Sequence, residues 1–352
     1  MLYLILTVLF VILFFNLSMI DIGRVVPVTT HRIHKSTVNA ISILSVLVLV
    51  VFVAFRPSSM PDYMGYINDF KYLDRSKDLS MEIGDKTLIN VVHVFSNNYM
   101  LAFAAFALIG VPLKVYAIKK LTPFIFLSMA IYVSGILIAQ DMIAIRSAIA
   151  VGFFLLAIKY RLDNRIWHYM FFSLCAFLFH YSAIILIPLY FISKEKEYFA
   201  LYFLLIPIAY ISVINDIGVV QFFELIHIDT FQLLWANYKY FEESDAYNIY
   251  NFFILGKCLM YYFILFNIKT ISKHCPMALY LMKIYCISIF LTVFLREQQS
   301  LAIRIGEFLQ SVEIVLIPLI LYAFNGRRKA LMHYVCAGYC AGLLLCYGIY
   351  FF

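Results

Sequence analysis

Long apolar runs recur from one end of the chain to the other, and they limit its possible folds more than any other feature. Most of them reach the roughly 17–25 residues that a helix needs to cross a hydrocarbon layer of about 30 Å. Of 352 residues, 64% are hydrophobic and 13% charged, whereas about a quarter of the residues in a soluble domain are charged. The pattern predicts an all-α polytopic integral membrane protein with about 11–12 membrane helices, forming a single transmembrane domain over 1–352. The runs cover 2–19, 38–55, 98–116, 123–140, 143–159, 166–193, 198–214, 250–268, 279–295, 301–324 and 331–350.

Basic residues are concentrated in six connections between these runs, which we call the basic loops. Together they hold 16 of the 27 Lys and Arg but only 4 of the 20 Asp and Glu. Because positively charged loops stay on the cytoplasmic side, this asymmetry predicts that all six face the cytoplasm. The net charge of +7 therefore reflects topology, and we expect membrane lipid and no nucleic acid as a partner. In chain order, the basic loops are 20–37, 114–123, 159–166, 193–198, 268–279 and 325–330.

The run at 166–193 conflicts with this orientation. It joins the third and fourth basic loops, so a single crossing would put two cytoplasmic loops on opposite sides, and two full crossings need about 40 residues. A pair of short helices that enters the membrane and returns resolves the conflict, with a break near His180, Tyr181 and Ser182. Since non-helical backbone at that depth survives only against protein or a water-filled cavity, we expect His180 to line a cavity. Alternatively, the fourth basic loop, which carries no net charge, lies outside.

Two long connections, 56–97 and 215–249, then fall on the outer side. Both are rich in acidic, aromatic and small polar residues. Neither is long enough for a separate soluble domain, so we expect them to cap the outer face. The spacing of the apolar residues between 88 and 95 predicts one interfacial helix there.

Cofactor motifs are missing from the sequence. The seven cysteines show no Cys-x-x-Cys spacing, which argues against a metal or disulfide framework. There is no Walker loop and no His/Asp/Glu cluster of the kind that binds a nucleotide or a metal. We therefore expect no cofactor and no metal.

Ionisable residues at the outer ends of the helices are the candidates for function, because a charge in or near the bilayer is costly unless it is paired or used. Arginine presents a rigid fork of donors that matches phosphate oxygens in two-point contacts, so arginines from three separate helices indicate an anionic, diphosphate-containing lipid-linked substrate. Ion pairing between or within helices is the competing interpretation, for example Arg304 with Glu307 or Arg146 with Asp141. The candidates are Arg56, Asp62, Tyr63, Tyr66, Glu82, Asp141, Arg146, His180, Arg296, Arg304 and Glu307.

His180 has two possible roles, and three further ionisable residues have structural interpretations. His180 can act as a general base on a sugar hydroxyl, or it can be a hydrogen-bond partner between helices. Lys257 and Glu313 lie within apolar runs, where both can form internal bridges. We expect Lys283 to extend its side chain to the cytoplasmic surface.

Four short motifs resemble those of the EpsG-type polysaccharide polymerases. Each is weak alone, but they occur in order along nearly the whole chain and on a matching hydropathy profile. Ser147 stands where the family usually has glutamine, and Phe308 stands where it has tyrosine. The motifs are Phe55-Arg56-Pro57 with Asp62-Tyr63-x-x-Tyr66 and Glu82-x-Gly84; Ile145-Arg146-Ser147-Ala148-Ile149-Ala150; Phe179-His180-x-Ser182-Ala183; and Arg304-Ile305-Gly306-Glu307-Phe308 with Ile317-Pro318.

The resemblance implies a bacterial O-antigen or exopolysaccharide polymerase of the Wzy class, with an architecture similar to multispanning, polyprenyl-dependent (GT-C-like) glycosyltransferases. Such an enzyme transfers a growing glycan from undecaprenyl diphosphate to another lipid-linked repeat unit, at the periplasmic face of the inner membrane and without a metal. A Wzz-type chain-length regulator is then the expected protein partner. An O-antigen ligase and a flippase for lipid-linked oligosaccharides are the alternatives.

The hypothesis assigns a role to each candidate. Arg146 and Arg304 stabilise the leaving diphosphate, while Arg56 assists or pairs with Asp62. The general base is His180, with two carboxylates as the other possibilities. The candidate bases are His180, Glu82 and Asp62, and the remaining substrate-binding candidates are Tyr63, Tyr66, Asp141, Glu307 and Arg296.

Overall fold

The fold is helical throughout the described part of the chain, which confirms the predicted all-α polytopic class. The computed structural model describes residues 2–25, 35–72, 81–218, 246–324 and 328–351, and these ranges contain no strand. A π-helix (Tyr132–Ile143) continues the α-helix Ile125–Ile131, and two 3-10 helices are present: Tyr181–Ile185 precedes the α-helix Leu186–Tyr190, and Ile317–Tyr322 follows the α-helix Glu313–Leu316. The α-helices are α1 (Leu2–Val25), α2 (Lys35–Ala54), α3 (Tyr63–Lys71), α4 (Ile83–Phe95), α5 (Tyr99–Leu121), α6 (Ile125–Ile131), α7 (Ile145–Leu162), α8 (Ile166–Phe179), α9 (Leu186–Tyr190), α10 (Phe199–Ile214), α11 (Phe252–His274), α12 (Met277–Phe294), α13 (Gln299–Gln310), α14 (Glu313–Leu316) and α15 (Arg328–Phe351).

Eight helical segments within the described ranges are long and apolar enough to cross a membrane. Two further helices pack among them: α7 has 18 residues but contains three basic ones, and α10 has 16 residues. With the two limbs of the hairpin described below, these helices number twelve, in line with the prediction. The eight are Leu2–Gly23, Ser36–Ala54, Tyr99–Leu121, Ile125–Ile143, Phe252–His274, Met277–Phe294, Gln299–Tyr322 and Arg328–Gly348.

The run at 166–193 is a hairpin, as the sequence predicted. Helix α8 ends at Phe179, His180 is extended (φ −158°, ψ 110°), and a 3-10 turn leads into α9. The two limbs pack together, with the Tyr169 hydroxyl donating to the carbonyl of Leu186 at 2.5 Å. The chain therefore returns to the end of the bundle from which it entered.

The third, fourth and fifth basic loops lie at one end of the bundle. Lys194 Nζ in the fourth loop donates to the carbonyl of Leu162 in the third, at 3.1 Å. Lys269 Nζ, in the fifth loop, lies 3.9 Å from Glu197 Oε2 in the fourth. The alternative in which the fourth loop lies apart from the others is therefore wrong.

The other basic loops begin or end at the same end of the bundle as the third, fourth and fifth. Asp21 Oδ2, in the first loop, accepts from the backbone N–H of Phe126 at 2.6 Å, just beyond the second loop. The Tyr322 ring, just before the sixth loop, packs 5.2 Å from Phe124 and 5.3 Å from His274, which lies in the fifth. The described residues in or next to all six basic loops thus lie at one end of the bundle, while 26–34 and 325–327 lie outside the described residues. The cytoplasmic side of the loops stays a prediction of the positive-inside rule.

The centre of the bundle is the segment formed by α6 and the π-helix. Every residue from 126 to 142 is buried. The outer helices α1 and α2 instead expose large apolar side chains on one face, as expected for helices in contact with lipid.

A second apolar core forms where α3 and α4 pack on α5 and α7. The structure confirms the helix predicted between 88 and 95 as part of α4, and α3 and α4 lie against the ends of the bundle helices. The roles of 56–97 and 215–249 as caps stay predictions, since 73–80 and 219–245 lie outside the described residues.

Candidate active site

Helix α3 places Tyr63 and Tyr66 inside the protein. Asp62 precedes the helix in the left-handed region (φ 61°), which aspartate tolerates better than most residues. The buried residues then follow helical spacing: Tyr63, Tyr66, Ile67 and Phe70. As a result, both tyrosines point toward α5 and α7, whereas Asp62 is exposed.

Helix α4 begins directly against the end of α8. The contact depends on Gly84, because a Cβ atom there would lie 2.8 Å from the carbonyl oxygen of Leu178 and 3.0 Å from the ring of Phe179. The close approach brings Glu82, which is the N-cap residue of α4, beside His180 at the break of the hairpin.

Glu82 is the centre of the candidate active site. Its Oε2 accepts from Arg146 Nη1 at 3.1 Å, and its Oε1 lies 3.8 Å from His180 Nδ1. Glu82 and His180 are buried, with 8% and 9% of their surfaces exposed. Burial alone would raise the pKa of Glu82, but its contacts with His180 and Arg146 bring that pKa below its ordinary value. A carboxylate, a guanidinium and an imidazole from α4, α7 and the hairpin break thus meet in one place.

Arg56 reaches the same region from the end of α2. Its guanidinium stacks on Phe103 at 3.7 Å and lies 5.6 Å from the Tyr66 ring, which is 5.5 Å from the guanidinium of Arg146. Nη1 also donates to the carbonyl of Met142 at 3.2 Å. Burial lowers the pKa of Arg56 to about 10, so the side chain is charged at neutral pH.

The predicted pairing of Arg56 with Asp62 is not formed in the described part of the chain. Asp62 is exposed, and its carbonyl accepts from the Tyr66 backbone N–H at 3.0 Å. An exposed carboxylate is well solvated, so the buried guanidinium finds its contacts in aromatic rings and a carbonyl instead.

Arg304 makes no contact with Glu82, Arg146 or His180 in the described part of the chain. The Phe308 ring packs 5.7 Å from His180, and Arg304 precedes Phe308 by four residues on α13, so it lies on the same helix face one turn away. Arg304 is exposed, and none of the described residues pairs with it. Arg296 is partly buried, and its carbonyl accepts from the backbone N–H of Tyr247 at 2.8 Å.

Asp141 takes no part in the Glu82 contact, although it interacts electrostatically with Arg56. Lys114 Nζ lies 2.8 Å from its Oδ1, and the Tyr132 hydroxyl donates to Oδ2 at 2.8 Å. The alternative pairing of Arg146 with Asp141 is therefore wrong, since Arg146 pairs with Glu82 and Asp141 with Lys114. The sequence placed Lys114 in the second basic loop, but the structure buries it fully. The one sequence feature that indicated this burial was the position of Lys114 inside the apolar run 98–116.

Glu307 belongs to another buried group. It interacts electrostatically with Lys257 and Glu313, and the pairing of Glu307 with Arg304 that the sequence allowed is not among the ion pairs of the described residues. The internal bridge expected of Lys257 and Glu313 is confirmed at 3.1 Å. Lys283 does not reach the surface as expected: the residue is fully buried, and its Nζ donates to the carbonyls of Ser193 and Lys196 in the fourth basic loop.

Comparison with known proteins gives one match. The model of the EpsG family matches residues 39–352, nearly the whole chain. No curated protein and no solved structure matches. Within the described ranges, no group of three or more His, Cys, Asp and Glu side chains is arranged to hold a metal ion.

Proposed function

The chain belongs to the EpsG family, and from this premise we propose that it is a polysaccharide polymerase of the Wzy class. Membership in the family indicates a polymerase-like glycosyltransferase in a multipass membrane protein. In our proposal, the enzyme transfers a growing glycan from undecaprenyl diphosphate to the terminal sugar of a second lipid-linked repeat unit. The reaction takes place at the periplasmic face of a bacterial inner membrane.

The observation that carries the proposal is the contact of Glu82 with both Arg146 and His180. A glycosyl transfer from a diphosphate needs a cation at the leaving group and a base at the acceptor hydroxyl. Here a guanidinium and an imidazole share one carboxylate in a largely buried site. That arrangement supports both requirements with three side chains.

His180 acts as the general base in this scheme. With Nδ1–H directed at Glu82, Nε2 is left to accept a proton, and it has no hydrogen bond with any residue that the structure describes. The carboxylate holds the imidazole in that tautomer and stabilises the imidazolium once it forms. The 3.8 Å separation is long, as catalytic contacts often are before substrate binds.

The leaving diphosphate is bound by arginines. The acceptor oxygen gives its proton to His180 and forms a bond to the anomeric carbon, while the bond from that carbon to the diphosphate oxygen breaks. The electron pair stays on undecaprenyl diphosphate. In this scheme Arg146 and Arg304 neutralise the developing charge, and Arg56 adds a fixed positive charge behind Tyr66.

The position of the site along the helices supports the periplasmic assignment. The candidate residues lie at the end of α2 and the beginnings of α5 and α7, whereas the basic loops lie at the opposite ends of these three helices. If the basic loops face the cytoplasm, the active site faces the periplasm. There it meets its lipid-linked substrates and a Wzz-type chain-length regulator.

Elongation by the purified protein tests the proposal. The substrate is a synthetic repeat unit on undecaprenyl diphosphate, and product length is read by gel or mass spectrometry. We expect His180→Ala to slow elongation by about 10²–10⁴-fold, the usual contribution of a positioned acid–base group. His333→Ala is the matched control, because His333 is also buried and bonds to Ser18 within the bundle. Wild-type elongation rates in His180→Ala and Glu82→Gln together would refute the mechanism.

The same assay separates the alternatives. A ligase would leave the repeat unit unextended and transfer it only when lipid A core is added as acceptor. A flippase would form no glycosidic bond and would move the lipid-linked oligosaccharide across a vesicle membrane.

A further inference from the structure

Asp85 is a buried carboxyl group that the scheme above does not use. It lies one turn after Glu82 on α4 and is 1% exposed. As an ionised group it would have no hydrogen-bond donor for either oxygen among the residues that the structure describes. A buried carboxylate without a donor is costly, whereas the neutral acid needs only one acceptor.

A cavity of about 10 Å³, room for roughly one water molecule, adjoins Asp85. The titratable groups around Asp85 come from α3, α5 and α7 as well as from α4 itself. The residues around the cavity include Tyr66 and Asp69 from α3, Tyr99 from α5 and Arg146 from α7, and Glu82 lies beside Asp85 on α4 itself.

The acceptor for a neutral Asp85 is the Glu82 carboxylate. The two carboxyl groups lie one helical turn apart at the start of α4, so a neutral Asp85 can donate to Glu82. If they hold one proton between them, the pair has a single negative charge. That charge balances the single positive charge of Arg146, with which Glu82 already pairs at 3.1 Å.

We propose that Asp85 is a positioning residue that shares one proton with Glu82 and so keeps the carboxyl pair at a single negative charge. The inference rests on the polymerase function proposed above. The donated hydrogen bond orients Glu82 toward Arg146 and His180. The single charge also leaves the guanidinium of Arg146 able to bind the diphosphate of the substrate.

Loss of the shared proton lowers the turnover of the enzyme. A second negative charge binds Arg146 more tightly and repels the diphosphate, so turnover falls once Asp85 ionises. Burial, together with the charge of Glu82, raises the pKa of Asp85 to about 9. Because Asp85 is an acid, it is neutral below that pH and charged above it. Turnover of the wild type should therefore decline by about tenfold per pH unit above roughly pH 9.

The test is the pH dependence of repeat-unit elongation by the purified protein between pH 6 and 10. Asp85→Asn cannot ionise, and its amide can still donate to Glu82. We expect this variant to elongate at pH 7 within about tenfold of the wild type and to lack the alkaline decline. Asp85→Ala has no donor and should be slower at every pH. Asp69→Asn, a carboxyl change at the same cavity, should retain the alkaline decline.

Either of two results would overturn the inference: a folded but inactive Asp85→Asn at pH 7, or an alkaline decline that persists in it. Infrared spectroscopy gives a readout that does not depend on activity. The difference spectrum of the wild type minus Asp85→Asn should contain the carbonyl band of a protonated carboxyl group at pH 7, and this band should disappear by pH 11. If the wild type elongates nothing but shows this band, the proposed function fails while the shared proton stands. If the band is unaffected by Asp85→Asn, the shared proton is wrong whatever the activity.

Discussion

Replacing Gly84 by alanine should slow the enzyme through geometry alone. Gly84 has no chemical group that takes part in the reaction, but it is the point where α4 touches the end of α8. An added Cβ would lie 2.8 Å from the carbonyl oxygen of Leu178, whereas ordinary van der Waals contact begins at 3.4 Å. Since the close neighbour is a backbone atom, it cannot rotate away as the end of a flexible side chain would.

The size of the effect follows from that overlap. The two helices must separate by about 0.6 Å at this point, and overpacking of this kind costs about 1–3 kcal/mol of stability. Glu82 precedes Gly84 by two residues and His180 follows Leu178 by two, so the separation acts on their 3.8 Å contact. A misplacement of about 1 Å can lower a rate by about 10²-fold, and we therefore expect elongation by Gly84→Ala to fall roughly tenfold.

The assay is elongation of the lipid-linked repeat unit, with thermal unfolding in detergent measured on the same samples. Gly65→Ala on α3 is the matched control, because an added Cβ there meets no atom of the described residues within 4 Å. This control should be active and up to about 1 kcal/mol more stable, since alanine favours a helix over glycine. The reasoning is refuted if Gly84→Ala elongates within twofold of Gly65→Ala.

Two further predictions concern the charged residues. Arg146→Lys should slow elongation at least about tenfold, because an ammonium group cannot make a two-point contact with a diphosphate. The control is Arg165→Lys in an exposed position. Normal elongation by Arg146→Lys would show that simple charge pairing is enough. Lys257→Met should lower the free energy of unfolding by about 3–5 kcal/mol, because it leaves Glu313 buried without its partner. The double variant Lys257→Met with Glu313→Leu should recover most of that stability, because it removes both buried charges. Thermal unfolding in detergent measures both variants, and a double variant as unstable as the single one would contradict this account.

The sequence by itself determined the membrane class, the grouping of the basic loops and the hairpin at 166–193. Each of these follows from counts of residues along the chain, which do not depend on how the helices pack. Hydrophobic length fixes where a helix can cross, and the count of basic residues fixes which loops share a side. The break at His180 followed from parity, since an odd number of crossings could not join two loops at the same end of the bundle.

Only the tertiary structure decided which charges pair with which. Sequence distance suggested Arg146 with Asp141, five residues apart, but the π-helix places Asp141 toward Lys114 instead. In a π-helix each hydrogen bond spans five residues and not four, so the faces predicted from α-helical spacing no longer hold.

The partner of Arg146 is Glu82, 64 residues away, and what brings them together is the packing of α4 against α8. No local pattern contains that information, because it depends on how the two helices are rotated and how closely they approach. The sequence supplied the ionisable residues and the end of the bundle where they lie. Their assembly into one site was decided by contacts between residues far apart in the chain.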